Sequence, residues 1–171
     1  MIVLLYGLAL LVTGCGVSAP RQTSVSDATG ARALDEALGV TGAPYVLGAR
    51  GPDEFDCSGL ITWAYKKALR SDAIFRVGNQ QTTDASMQDL WRHNVIPLLP
   101  ADMRPGDIVF ITSDSNMITH GGLFTGWVDD NEFEFVNASS YHGQVAIDIW
   151  PVDGLKREQW FVGAGRLKVV Y

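Results

Sequence analysis

The chain has 171 residues, of which 47% are hydrophobic, and it contains 18 glycines and 7 prolines. This composition is typical of one compact globular domain and excludes a disordered or fibrous chain. The 13 Lys and Arg residues against 19 Asp and Glu residues give a net charge of -6. Nucleic acid is therefore not expected as a partner, because phosphate contacts need a basic surface.

The N-terminus has the pattern of an export signal. Residues 1–12 (MIVLLYGLALLV) are apolar throughout, but a bilayer span takes about 20 residues. The flank Val12-Thr13-Gly14-Cys15 resembles a bacterial lipobox, in which the cysteine thiol is acylated and cleavage makes that cysteine the first mature residue. No Lys or Arg precedes Arg21, so a generic signal peptide is the alternative. We predict a signal peptide over residues 1–14 and a lipid anchor on Cys15.

A tether and a first helix are predicted next. Residues 15–29 are mostly small and polar, with one proline and no apolar periodicity, which indicates a flexible tether. The folded domain is expected over residues 30–171. Its first element is a helix, because the apolar residues of ARALDEAL recur at helical spacing and Gly39 suits a helix end.

A second helix is predicted over residues 58–70, directly after Cys57. Its Leu, Ile and Ala residues fall mostly on one face, as in an amphipathic helix. Asp56 at its start and three basic residues near its end suit the helix dipole. A shorter third helix is predicted within TDASMQDLWRH, ending before Pro97.

After Pro105 and Gly106 the pattern changes to short β-branched or aromatic runs separated by turn residues. The runs are DIVFIT, GGLFTGWV, EFEFVNAS, QVAIDIW and WFVGAGRLKVVY. Helices followed by a series of strands, without βαβ alternation, predict an α+β domain. We expect N-terminal helices packed on an antiparallel sheet of about five strands.

Cys57 is a candidate nucleophile. If Cys15 carries lipid, Cys57 has no disulfide partner, and a lone thiol in an exported protein suggests a reactive group. The alternative is a buried and inert cysteine. At the first turn of a helix, free N–H groups and the dipole favour thiolate over thiol, so we predict a lowered thiol pKa. The same N–H groups suit an oxyanion that forms when the sulfur attacks a carbonyl.

A thiol nucleophile needs an imidazole and a polar group that orients it. His120 is favoured because it starts a predicted strand and is followed by small residues, whereas His93 ends a polar helix and His142 lies in a turn. Asn137 follows 17 residues later (137 minus 120), where a hairpin would bring it beside His120. Its carbonyl oxygen can accept the ring N–H. A turn or bulge role for Asn137 is the alternative, and His142 then remains a candidate to orient the ring.

Six blocks along the chain resemble the NlpC/P60 family of papain-like cysteine peptidases. They are APYVLGA, FDCSGL, RPGDIVFIT, THGGLFTG, FEFVNAS and WFVGAGRL, and together they span about residues 43–167. The resemblance implies a papain-like α+β core in which the cysteine helix packs against an antiparallel sheet that bears the histidine. It also implies cleavage of cell-wall peptides, commonly between D-γ-glutamyl and a diamino acid.

The resemblance also implies roles for single residues. Cys57 corresponds to the nucleophile, His120 to the base and Asn137 to the third polar residue, which is often histidine in relatives. The substrate-binding residues implied by the resemblance are Tyr45, which matches a tyrosine near the nucleophile, and Asp56 and Ser58, which match positions that help to bind the stem peptide. The segment LGA stands where the family usually has WGG.

Together these patterns predict a lipid-anchored cysteine endopeptidase that acts on peptidoglycan stem peptides in the bacterial cell envelope. An amidase or acyltransferase with the same three residues is one alternative, since a fold does not fix a substrate. A non-catalytic wall-binding or scaffold lipoprotein is the other. No cluster of His, Cys and Asp has the spacing of metal ligands, so neither a metal nor a cofactor is expected.

Overall fold

The computed structural model describes residues 22–170, with the side chains of residues 23–169. The predicted signal peptide over residues 1–14 and the predicted lipid site at Cys15 lie outside this range. The helical elements are α1 (Asp27–Leu38), α2 (Cys57–Leu69), α3 (Met87–Asp89), a π-helical turn (Leu90–Asn94) and a 3-10 turn (Pro100–Asp102). Among residues 22–170, no helix is both long enough and apolar enough to cross a membrane.

The strands of residues 22–170 form one large and one small antiparallel sheet. They are β1 (Gln22–Ser24), β2 (Phe75–Val77), β3 (Gln80–Thr82), β4 (Val95–Leu98), β5 (Ile108–Thr112), β6 (His120–Trp127), β7 (Glu132–Ser139), β8 (Gln144–Pro151) and β9 (Trp160–Val170). The large sheet has the order β1-β9-β5-β6-β7-β8, with β4 also paired to β9. Strands β2 and β3 pair only with each other.

The predicted α+β class is confirmed, and the five predicted strands are β5 to β9. The sheet also gains β1 and β4, which have only three and four residues. Strand β4 contains Pro97, a residue that lacks a backbone N–H and is therefore confined to sheet edges or bulges. Both extra strands depend on pairing with β9, and a short local pattern does not reveal such a partner.

The large sheet has a hydrophobic core on each face. All five residues of β5 are buried. Ile108 and Phe110 belong to the core shared with α1 and α2, whereas Val109 and Ile111 belong to a second core with Phe124, Phe133, Phe135 and Trp150. Burial on both faces explains why the four residues between Asp107 and Thr112 are continuously apolar instead of alternating.

The folded domain begins earlier than the predicted boundary at residue 29. Residues 22–24 form β1, and α1 begins at Asp27 with Ser26 as its N-cap, whose hydroxyl accepts the Thr29 N–H. Small polar residues are as typical of a helix cap as of a tether. The tether prediction is therefore wrong for residues 22–29.

The other two predicted helices are close to the observed ones. Helix α2 begins at Cys57 itself, one residue before the predicted start, and ends at Leu69. The segment predicted as a third helix forms α3 and the π-helical turn, and it ends at Asn94, before Pro97. Helix α2 packs on β6 and β7, which connects the two parts of the candidate site.

Candidate active site

Cys57 is the first residue of α2, and Asp56 before it caps the helix. Asp56 has an extended backbone, and its Oδ1 accepts the Gly59 N–H at 2.6 Å. This bond satisfies one of the first-turn N–H groups, which have no partner within a helix. A β-carbon added to Gly59 would lie 2.0 Å from the Ala49 carbonyl oxygen. The chain before α2 therefore packs directly on the first turn and fixes the position of Cys57.

The Asp56 carboxylate is fully occupied by groups of the protein. Its Oδ1 accepts from the Gly59 N–H and, at 3.0 Å, from the Ser58 hydroxyl. Its Oδ2 accepts from the Gly48 N–H at 2.9 Å and from the Arg50 guanidinium at 2.5 Å. A carboxylate offers about four acceptor sites, and these four bonds hold Asp56 at the start of α2. The observed contacts of Asp56 and Ser58 support a role in positioning the start of α2.

Arg50 links the start of α2 to a second acidic residue. Besides its bond to Asp56, its Nε donates to Asp84 Oδ2 at 2.6 Å. Burial alone would raise the pKa of Asp56, but the hydrogen bonds from the Gly59 N–H and from Arg50 outweigh burial and hold that pKa below its usual range. Asp56 therefore stays charged next to Cys57.

The predicted lowering of the Cys57 pKa is wrong. Burial raises the pKa of the thiol to about 11, and the Asp56 charge contributes to this rise. The N–H groups of Ser58 and Cys57 and the charge of Arg50 favour the thiolate, but these effects are smaller. A helix start lowers a thiol pKa only where burial and carboxylates do not oppose it. The resting Cys57 is therefore a neutral thiol.

Tyr45 lies on a segment that connects the start of α2 to the turn between β7 and β8. Its N–H donates to the Gly143 carbonyl at 2.9 Å. Burial raises the pKa of the Tyr45 hydroxyl, and the nearby Cys57 and Asp56 raise it further, as expected for a phenol close to the thiol. The start of α2 and the β7–β8 turn therefore lie at the same end of the fold.

His120 is the first residue of β6, and its ring contacts Asn137 in β7. The distance from His120 Nε2 to Asn137 Oδ1 is 3.0 Å. Leu123 pairs with Val136, so Gly122 lies opposite Asn137 and His120 lies diagonally from it. A β-carbon added to Gly122 would lie 2.2 Å from the Val136 carbonyl oxygen and 2.9 Å from Asn137 Cβ. Only a glycine between the two side chains allows this contact.

The Asn137 amide determines which ring nitrogen of His120 carries the proton. Its Nδ2 donates to the Ala146 carbonyl at 3.2 Å, so its Oδ1 faces the imidazole. A carbonyl oxygen only accepts, so His120 Nε2 is protonated and Nδ1 is free to accept a proton. Burial lowers the pKa of His120, and the bond to Asn137 opposes this effect only in part. His120 is therefore neutral at neutral pH.

The thiol and the imidazole are both uncharged at rest. Cys57 starts the helix that packs on β6 and β7, and His120 lies where β6 begins and β7 ends. Among the hydrogen bonds of residues 22–170, none joins Cys57 Sγ to the His120 ring. A thiol and a neutral imidazole can act as nucleophile and general base if the proton moves when a substrate binds.

His142, the alternative partner of the His120 ring, contacts a different residue. Its Nε2 lies 3.2 Å from Asp148 Oδ2. Asp148 also accepts hydrogen bonds from Lys156 and Arg157. Asn137, and not His142, therefore contacts the His120 ring.

The comparison with known proteins gives the family of the chain. Residues 42–164 match the model of the NlpC/P60 family. The chain belongs to the NlpC/P60 family. A probable endopeptidase of Corynebacterium glutamicum (strain R) is 31% identical over 134 residues, which are 78% of this chain and 56% of that protein. The NlpC/P60 model thus covers most of the fold, including Cys57, His120 and Asn137.

Two further comparisons extend this result. The gamma-DL-glutamyl hydrolase of Bacillus subtilis (strain 168) is 30% identical over 95 residues, which are 54% of this chain and 20% of that protein. The structure of NlpC1 from Trichomonas vaginalis has a TM-score of 0.62 at 26% identity and covers 86% of this chain and 47% of that chain. This chain therefore spans about half the length of its C. glutamicum relative and less of the B. subtilis one.

Three features around this NlpC/P60 site were not predicted from the sequence. Arg50 binds Asp56, and its only local signal is a basic residue six positions before an acidic one. Gly122 separates His120 from Asn137, and a GG pair gives no indication of which partner approaches. Asp148 is an acidic residue within the apolar run QVAIDIW, which could have indicated a buried ion pair. Among residues 22–170, no three His, Cys, Asp or Glu side chains form a group that could hold a metal ion.

Proposed function

We propose that this protein is a cysteine endopeptidase that hydrolyses bonds in the stem peptides of peptidoglycan. The main support is the His120–Asn137 pair, which lies at the same end of the fold as Cys57 at the start of α2. Asn137 leaves Nδ1 of the ring free, as a general base requires. The C. glutamicum relative is named a probable endopeptidase, and the sequence resemblance to the NlpC/P60 family implies a cell-wall peptide as the substrate.

The proposed reaction has two halves. In the first, the Cys57 thiol gives its proton to His120 Nδ1 while the sulfur attacks the scissile carbonyl carbon. The N–H groups at the start of α2 stabilise the oxyanion. When the tetrahedral intermediate collapses, the C–N bond breaks and His120 protonates the departing amine, which leaves an acyl thioester on Cys57.

The second half releases the acyl group. A water molecule gives a proton to His120 Nδ1 and its oxygen attacks the thioester carbonyl. The C–S bond then breaks, and the proton returns from the ring to the sulfur. The products are an amine and a carboxylate, and the neutral thiol and imidazole are restored.

We further propose that the scissile bond joins D-γ-glutamyl to a diamino acid. This bond is the one that the sequence resemblance implies, and the B. subtilis relative is named a gamma-DL-glutamyl hydrolase. In this proposal Tyr45 contacts the substrate near the nucleophile, because Tyr45 and Cys57 pack against the same core and Cys57 contributes to the raised pKa of the Tyr45 hydroxyl. Asp56 and Ser58 act on the substrate indirectly, by holding the first turn of α2.

The test is incubation of the full chain with purified stem peptides, followed by identification of the products by mass spectrometry. Cys57→Ala should abolish cleavage, and His120→Ala should lower kcat about 10³-fold or more. Asn137→Ala should lower kcat by a smaller factor than His120→Ala, because it removes the group that orients the ring and leaves the base in place. His93→Ala is the matched control and should retain activity.

Three outcomes would contradict the proposal or part of it. Cleavage by the Cys57→Ala protein at the wild-type rate would exclude the nucleophile. Products that carry an added amine in place of a new carboxylate would identify an acyltransferase. Binding of the peptides by the wild-type protein without any cleavage would support the non-catalytic wall-binding alternative.

We also propose that Cys15 is acylated and anchors the protein in the cell envelope. The support is the lipobox resemblance of Val12 to Cys15. Lipid at Cys15 would hold the enzyme close to the wall at high effective concentration. After growth with a labelled fatty acid, the wild-type protein should carry label and a Cys15→Ala protein should not. A Cys15→Ala protein that remains membrane-bound at high salt would contradict the anchor.

A further inference from the structure

A buried carboxylate with two cationic partners lies on β8, outside the steps proposed above. Asp148 is 8% exposed. Its Oδ1 accepts from Lys156 Nζ at 3.2 Å, and its Oδ2 accepts from Arg157 and lies 3.2 Å from His142 Nε2. Burial would raise the pKa of Asp148, but these bonds outweigh it and lower that pKa. Asp148 is therefore a fixed negative charge that holds the loop residues 156 and 157.

This cluster lies beside His120. Strand β8 pairs with β7 so that Asp148 lies opposite Phe135, on the same face of the sheet as Asn137. The Phe135 ring in turn lies edge-on to the His120 ring, with centroids 6.5 Å apart. The charges of Asp148 and Arg157 both act on His120, whereas those that act on Cys57 are Asp56 and Arg50. The cluster is therefore on the imidazole side of the site.

Arg157 is the member of the cluster that can bind a ligand. Lys156 balances the charge of Asp148, so Arg157 leaves one positive charge in excess. Among residues 22–170, the only hydrogen bond of its guanidinium is the one from Nη1 to Asp148 Oδ2. The guanidinium lies 3.8 Å from the centroid of the Tyr141 ring, and its side chain is 28% exposed. Arg157 is therefore held in place with donors unused, as a recognition residue requires.

The position of Arg157 indicates which part of a substrate it would meet. In the proposed reaction, His120 gives its proton to the departing amine. Groups on the imidazole side of the site therefore face the diamino acid that leaves, and groups near Cys57 face the acyl part. A planar guanidinium binds carboxylates through paired hydrogen bonds.

We propose that Arg157 binds a free side-chain carboxylate on the leaving diamino acid, which makes it a specificity-determining residue. This inference rests on the proposed function. It predicts preference for a diamino acid with a side-chain carboxylate, such as diaminopimelate, over the same residue with that carboxylate amidated. Lysine has the same side-chain ammonium group but no side-chain carboxylate, so it should bind no better than the amide.

The experiment measures binding without turnover. The full chain with Cys57→Ala is titrated by calorimetry with three synthetic peptides, L-Ala-γ-D-Glu followed by diaminopimelate, by its side-chain amide or by lysine. The diaminopimelate peptide should bind about 10- to 100-fold more tightly than its amide, as expected for a charge-assisted pair. Adding Arg157→Gln should abolish this difference, whereas Arg157→Lys should retain part of it because the charge remains.

Arg76→Gln is the matched control. Its guanidinium bonds the Asn79 carbonyl on the small β2–β3 sheet, so the preference should remain. Equal binding of the diaminopimelate peptide and its amide by the protein that retains Arg157 would overturn the inference. An equal loss of affinity for all three peptides with Arg157→Gln would overturn it as well. Absence of cleavage by the wild-type protein would overturn the proposed function instead, because these titrations do not depend on turnover.

Discussion

Cys57 and His120 both rest in their uncharged forms, because burial raises the pKa of the thiol and lowers that of the imidazole. The pair therefore differs from a preformed thiolate and imidazolium. Binding of a substrate has to bring sulfur, carbonyl and ring together before the proton moves. An uncharged resting thiol also reacts slowly with oxidants, which attack the thiolate.

The acid limb of the pH profile of kcat/KM should report the pKa of His120. We expect kcat/KM to rise with pH through this pKa, since only the neutral ring accepts a proton, and to do so below the ordinary imidazole value of about 6.5. Asn137→Asp adds a negative charge beside Nε2, which stabilises the imidazolium and should move the limb to higher pH. The measurement is kcat/KM against pH on one stem peptide. A limb that stays in place would show that Asn137 does not act on the ring.

Arg50 should control the reactivity of the thiol. Arg50→Gln removes the positive charge that offsets Asp56, so the pKa of Cys57 should rise further. The rate of iodoacetamide alkylation of the Cys57 peptide, followed by mass spectrometry against pH, should shift to more alkaline pH. Arg50→Lys should shift it less, and Arg76→Gln should leave it unchanged. An unchanged profile for Arg50→Gln would contradict this electrostatic role.

At the scale of elements, the contact between β6 and β7 sets the geometry of the proposed base. We expect Gly122→Ala to lower the free energy of unfolding by ~1–3 kcal/mol, because its β-carbon would collide with the Val136 carbonyl. It should also lower cleavage by separating His120 from Asn137. Urea unfolding and the peptide assay measure the two effects.

Gly126→Ala in the same strand is the matched control for this prediction. A β-carbon there would meet nothing within 4 Å, so stability and activity should remain close to wild type. Equal effects of the two substitutions would mean that alanine disturbs β6 in general. The close approach at Gly122 would then not be the cause.

At the scale of the whole molecule, buried titratable groups should make stability depend on pH. Below about pH 6.5 the unfolded state binds a proton at His120 that the folded state does not, because burial lowers the folded pKa. The free energy of unfolding should therefore fall as the pH falls from this value to the folded pKa. Asp56 and Asp148, whose folded pKa values are lowered, should add a second fall below about pH 3.9.

His120→Gln separates the two effects. It should remove the contribution of His120 to the fall of the unfolding free energy below about pH 6.5 and leave the fall below about pH 3.9. Urea unfolding at a series of pH values measures both. If the wild-type and variant curves run parallel between pH 6.5 and 4, His120 is not the group that the folded state keeps neutral. The lower fall depends on ion pairs of Asp56 and Asp148 and should appear in both proteins.

The elements that could be predicted are those stabilised by a local pattern. Helix α2 has an amphipathic sequence with a cap, and β5 to β9 have strand-like runs between turn residues, so each is recognisable within a window of about ten residues. Strands β1 and β4 are held by distant pairing with β9. The segment 22–29 has the composition of a tether, although it forms a strand and a helix start in its tertiary context.

The sequence by itself determined the α+β class, the family blocks and the residues to which we assign the chemistry, because motif spacing and periodicity are local properties. Only the tertiary structure decided the charge states and the partners. Arg50 meets Asp84 across 34 positions, and His120 contacts Asn137 and not His142, an alternative that the sequence left open. The pKa of Cys57 rises instead of falling because burial and a neighbouring carboxylate outweigh the helix start. Burial and long-range contacts depend on the whole fold, so no local pattern contains them.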